Sequence, residues 1–217
     1  MNFFAHAVFA ARRSDNPRWV LGAMLPDFFT MAGLRLEAVA GDQPLQGGID
    51  FHHATDEVFH TAPLVVEMME AVTKELAGEG LDRGPSMAIG HVGVELLLDG
   101  VLVDSEEAMN NYRFALDEIE QTEMSLRFAG LDMDEGINRW RRVTRYLPTA
   151  PIPEGYAEPD FVAERLIRIL ANRPYLAVPK EREDLVFSWA RRAAPQIEEK
   201  AKAVLTQVED RLIAAGK

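Results

Sequence analysis

The sequence predicts an all-α protein, a compact single-domain helical bundle. Apolar residues recur at the three-to-four-residue spacing of helices along most of the chain. Alternating β-branched runs bounded by turn residues, the mark of strands, are hard to find. The 217 residues are 47% hydrophobic and 27% charged, which supplies a sizeable core, and no linker-like stretch divides them.

Residues 2–13 read as the first helix, apolar through Phe3, Phe4, Val8 and Phe9. Ser14, Asp15, Asn16 and Pro17 form a turn with capping residues, and a second helix over 17–33 is expected to be interrupted near Pro26. The segment 34–48, ending in Gly47 and Gly48, reads as a loop, followed by helices at 49–62 and, restarted by Pro63, at 64–78. A strongly apolar helix spans about 86–103, and Ser105 can cap a long amphipathic helix over about 106–129. Asp132 with Glu135 resembles a capping box for 133–147. Pro148, Pro151, Pro153 and Pro159 make 148–159 an extended connection. Helices at 160–172 and 181–214 complete the chain, the last with a kink or break expected at Pro195. Within one domain, residues 1–103 hold the candidate site and 104–217 form a helical supporting half.

Charge narrows the function. The formal net charge of -12, from 35 acidic against 23 basic residues, repels polyanions, so nucleic acid is not the expected partner. With no cysteine, any metal must be held by His and carboxylates, which points to Mn, Fe, Mg or Zn. The opening MNFFAHAVFAARR lacks the basic start of a secretory signal, and no uncharged run approaches the roughly 20 residues of a membrane span. A cytoplasmic protein without membrane contact is the expectation.

Four of the five histidines fall in two short clusters, FHHATDEVFH and GHVGVELLLDG. Steps of four residues rotate by only about 40° around a helix, so His52, Asp56 and His60 share one face, as do His91, Glu95 and Asp99. Two such ladders facing one another would converge imidazoles and carboxylates on a divalent ion. The second is the more informative, because the apolar residues around it, from Ile89 to Leu102, predict burial, and buried carboxylates are costly unless paired or metal-bound. A solvated helix face or a hydrogen-bonded core pair would produce the same spacing. His53 points elsewhere, His6 alone suits a core histidine, and Asp27 alone suits a helix N-cap.

These segments, in this order, resemble the acyl carrier protein phosphodiesterase family, hydrolases similar to the HD-type metal phosphohydrolases. MNFFAH is similar to that family's opening, LGAMLPDF to its Gly-Asn-Leu-Leu-(Gly/Ala)-Asp-Phe segment, and GIDFHHATDEVFHTAP to its Gly-Ile-x-x-His-Arg-x-Ile-Asp signature. VGVELLLDGVL resembles its Asp-x-x-x-Asp-His-Phe-Leu helix, so the likeness covers roughly residues 1–103, with an echo at ANRP, 171–174. The resemblance implies an HD-phosphohydrolase-like fold and nominates His6, Asp27, His52, Asp56 and Asp99 as metal-site residues, with Glu95 in place of an Asp. Three positions depart from it: Gly100 stands where the family has a His, His60 where it has an Asp, and His53 where it has an Arg.

The expected function is metal-dependent phosphohydrolysis, in particular of a phosphodiester, with one or two divalent ions activating water. The expected metal ligands are His6, Asp27, His52, Asp56, His60, His91, Glu95 and Asp99; Asp27, Asp56 and Glu95 are also candidates for catalytic roles. Arg142 and Arg173 are candidates for gripping phosphate, and the Arg139, Arg141, Arg142 and Arg145 helix for a basic patch. The substrate expected is a phosphoester-containing small molecule or a phosphopantetheine-bearing carrier protein, although such acidic proteins would be repelled by a surface at -12. The competing expectation is a non-catalytic metal-binding or scaffolding protein of the same fold. Di-iron redox chemistry lacks its paired Glu-x-x-His.

Overall fold

In the computed structural model, which describes residues Met1–Lys217, the helical periodicity is realised as nine α-helices. They are α1 (Phe3–Ala11), α2 (Pro17–Ala32), α3 (Gln43–His60), α4 (Pro63–Gly78), α5 (Arg83–Leu102), α6 (Glu106–Asp117), α7 (Met133–Tyr146), α8 (Pro159–Ala171) and α9 (Glu183–Ala214). The one sheet is a ribbon of two antiparallel strands, β1 (Leu36–Val39) and β2 (Leu126–Phe128). The all-α class is therefore observed.

Two compact units divide the chain. The first comprises Met1–Asp56, Asp104–Ile152 and Lys217; the second comprises Glu57–Val103 and Pro153–Gly216, the division falling inside α3.

In the first unit α1 is buried on nearly every side and packs against α2 and α6. Phe3 meets Phe28 with ring centroids 5.2 Å apart, and Phe4 stands edge-on to Tyr112 at 5.6 Å. Each such ring contributes about 1.5–3 kcal/mol by leaving water. Pro26 does not interrupt α2, contrary to expectation. The helix loses only the hydrogen bond that a residue 26 N–H would have made, and its flanking apolar side chains stay packed.

The expected loop 34–48 instead forms β1 and the first turn of α3. Asp42 accepts the Leu45 N–H (3.2 Å) as a cap and also binds Arg18 of α2. Gly47 and Gly48, read as loop glycines, are helical because α2 crosses there. A Cβ on Gly48 would stand 2.0 Å from the Trp19 carbonyl oxygen. That contact brings the backbones of α2 and α3 together.

The long helix expected over 106–129 stops at Asp117. Thr122 accepts the Trp140 indole N–H (3.0 Å) in a short 3-10 turn, after which Leu126 and Phe128 bury alternate side chains as β2. Pairing with β1 overrides local helix preference here. The proline-rich 148–159 contains short 3-10 turns as well as extended chain.

In the second unit α5 packs against α4, α8 and α9. By length and composition α5 is apolar enough to cross a membrane, but 67% of that stretch is buried inside the protein and it carries Glu95 and Asp99. A soluble core helix has the same composition. α9 runs through Pro195 without a break.

Candidate functional site

Three helices of the first unit deliver the first group of side chains: α1 carries His6, α2 carries Asp27, and α3 carries His52 and Asp56. The close crossing at Gly48 sets α3 against α2, so His52, one turn on, reaches the backbone of α2. Its Nδ1–H donates to the Ala23 carbonyl at 2.8 Å, three residues before Pro26. A carbonyl can only accept, so the neutral ring carries its lone pair on Nε2.

His6 is set by the same logic. The Thr55 hydroxyl lies 2.9 Å from the His52 carbonyl and 3.0 Å from the Phe51 carbonyl, and it donates its one proton there. It accepts from His6 Nδ1 at 2.8 Å, which puts the His6 lone pair on Nε2 as well. The two rings stack with centroids 3.8 Å apart. The ligand atoms of His6, Asp27 and His52 all lie within 4.8 Å of one another.

Burial, reinforced by the neighbouring His6, pushes the His52 imidazolium down to about 3, so the ring is neutral at physiological pH. Asp56 stands 3.8 Å from His6 Nε2, accepts the Met1 α-amino group at 2.7 Å and keeps 39% of its side chain exposed. Two imidazoles, each held through Nδ1, with the Asp27 carboxylate of α2 are a donor set that suits zinc, manganese or iron. Asp27 is not the helix N-cap its sequence suggests; it lies inside α2.

The second unit gathers another trio. His60 ends α3, while His91 and Glu95 stand one turn apart on α5. Both imidazoles direct Nε2 at Glu95 Oε1, at 3.4 Å and 3.2 Å, and their rings stack at 4.5 Å. Burial opposes ionisation of Glu95, but cationic and hydrogen-bonding neighbours, His91 among them, hold it at about 2.

The expected ladders are thus redistributed. His52 and His60 share a face of α3 yet join different trios, and Asp99, fully buried on α5, belongs to neither. His53 is exposed. Arg142 is exposed in a groove shared with Asp132, Asp134 and Glu135, and Arg173 is exposed after α8; neither joins a trio. Arg139 and Arg141 are engaged by Glu135 and Glu123, so the expected basic patch is partly neutralised. The supporting roles of Thr55, Ala23 and Met1 were not anticipated; a Thr three residues after a motif His was the available signal for the first.

A helical frame with buried, tautomer-set histidines and a carboxylate defines a protein with a candidate metal centre. Residues 1–78 match the model of the acyl carrier protein phosphodiesterase family, which bears out the resemblance over that stretch; it includes His6, Asp27, His52, Asp56 and His60, while His91, Glu95 and Asp99 lie outside it. No curated protein and no solved structure matches the chain.

Proposed function

We propose that the chain is a metal-dependent phosphodiesterase whose centre is formed by His6, Asp27 and His52, with the phosphopantetheine phosphodiester of a carrier protein as its substrate class. The observation that carries the reading is the pair of Nδ1 hydrogen bonds that place the lone pairs of His6 and His52 on Nε2, in a group whose ligand atoms lie within 4.8 Å of one another and include Asp27. A divalent ion held by these residues would lower the pKa of a water and neutralise phosphate charge. Thr55 and the Ala23 carbonyl keep the two imidazoles in the metal-binding tautomer, and burial keeps His52 from being protonated. Asp56, the half-exposed carboxylate beside His6, is suited to hold a proton for the attacking water or the leaving group.

Metal analysis of purified protein, then hydrolysis of bis-p-nitrophenyl phosphate and of holo-acyl carrier protein with added Mn, Fe, Mg or Zn, tests this. Metal uptake with metal-stimulated cleavage supports it, and a protein that takes up no metal sinks it.

A second reading, a metal-binding or scaffolding protein of the same fold, is favoured by Gly100. That residue replaces the His of the related family's helix, and a Cβ there would stand 2.1 Å from the Tyr156 carbonyl oxygen. The packing excludes any side chain. Metal uptake without cleavage of either substrate would select this reading.

A further inference from the structure

We propose that His60, His91 and Glu95 form a cation site in the second unit, open to solvent and selective for a borderline transition ion such as zinc, cobalt or nickel, sharing no ligand with His6, Asp27 and His52. The distances fit. An ion with bonds of about 2.0–2.1 Å and tetrahedral angles holds neighbouring ligand atoms about 3.4 Å apart. The two imidazole Nε2 atoms stand 3.4 Å and 3.2 Å from Glu95 Oε1.

The ligands are also pre-arranged. His91 and Glu95 are neighbours on one face of α5, and Glu95 is 8% exposed, so its carboxylate has little freedom. His60 is placed by the end of α3 just before the Pro63 turn, its ring edge-on to Phe59 and stacked on His91. One divalent ion can engage all three donors at once.

Chemistry and access define the ligand class. Two imidazoles and one carboxylate favour zinc, cobalt, nickel or copper over magnesium and calcium, which prefer all-oxygen sites. The side chains of His60 and His91 are 26% and 52% exposed, so an ion can enter and keep water or an exogenous ligand in its remaining position.

The test is cobalt(II) titration of the untagged, chelator-stripped full chain, followed by visible absorption and by bound-metal stoichiometry, with circular dichroism as the check on folding. His60→Ala/His91→Ala is expected to lose one equivalent of bound cobalt, and His91→Gln to change the spectrum of that equivalent. Asp27→Asn is expected to retain it while losing any hydrolysis of bis-p-nitrophenyl phosphate, so the two readings fail separately. Full cobalt uptake by a folded His60→Ala/His91→Ala variant overturns the proposal. Loss of all uptake by folded Asp27→Asn also overturns it, by showing that the trios do not bind independently. Preference for magnesium over cobalt at this trio overturns the assigned ion class.

Discussion

His6, Asp27 and His52 in one unit and His60, His91 and Glu95 in the other use the same donor types in opposite surroundings. In the first trio both histidines are buried and each has Nδ1 committed to a neighbour, so tautomer and ring plane are set before any ligand arrives. In the second, the carboxylate is buried while the imidazoles are half-open. Burial suppresses protonation of His52 and favours a preorganised centre; exposure favours exchange with solvent. Identical residue types therefore acquire different chemistry from packing alone.

The comparison breaks first if the buried trio is dispensable. His6→Ala/His52→Ala should lower metal-dependent kcat/KM by about 1,000-fold or more, since a catalytic ion supplies several kcal/mol. Asp27→Asn, read in parallel, guards against a misfolded double variant. Unchanged kinetics in either folded variant would remove the hydrolytic reading.

Next in size is Gly100→Ala on α5. Its Cβ would collide with the Tyr156 carbonyl, and overpacking of this kind costs typically 1–3 kcal/mol, measured by urea unfolding. A neutral result would show that the Tyr156 segment yields readily and that the family's His could be reinstated.

Thr55→Val sharpens the claim about tautomers. It removes the hydroxyl that accepts from His6 Nδ1, and metal affinity measured by competition with a chelator should fall about 10–100-fold with little change in fold. The open trio should not respond.

The smallest effect is in acid stability. His52 has its pKa lowered from 6.5 to about 3 on folding, so below pH 6.5 the unfolded chain binds the extra proton. Its contribution is fully present above about pH 6.5 and declines toward about pH 3, with a slope of at most about 1.4 kcal/mol per pH unit. Glu95, lowered from 4.5 to about 2, adds its own loss between those values. Urea titrations of metal-free protein at pH 7, 6 and 5 should show declining stability, with a flatter profile in His52→Gln; an identical profile would show that His52 is not buried neutral.

Much of this was legible in the sequence. Helical periodicity, Asp132 and Ser105 as caps, and Pro17 and Pro63 as helix starts are local features, and the structure places them so. His and carboxylate residues at four-residue spacing singled out His52, His60, His91 and Glu95, while His6 and Asp27 were nominated only by the family resemblance. Illegible were the strand at Leu126–Phe128, made by pairing with Leu36–Val39, and the helical state of Gly47 and Gly48, made by contact with α2.

By itself the sequence determined the helices and the inventory of possible ligands, because side-chain periodicity and residue chemistry are properties of neighbouring positions. The partition of those ligands was decided only by tertiary structure. Residues eight apart on α3 look equivalent along the helix axis, and which of them meets Asp27 or Glu95 depends on the helices packed around each turn. The two-ladder pattern held four of the six residues that the structure gathers into trios, omitted His6 and Asp27, and did not give the groupings, since contacts between distant segments set the geometry.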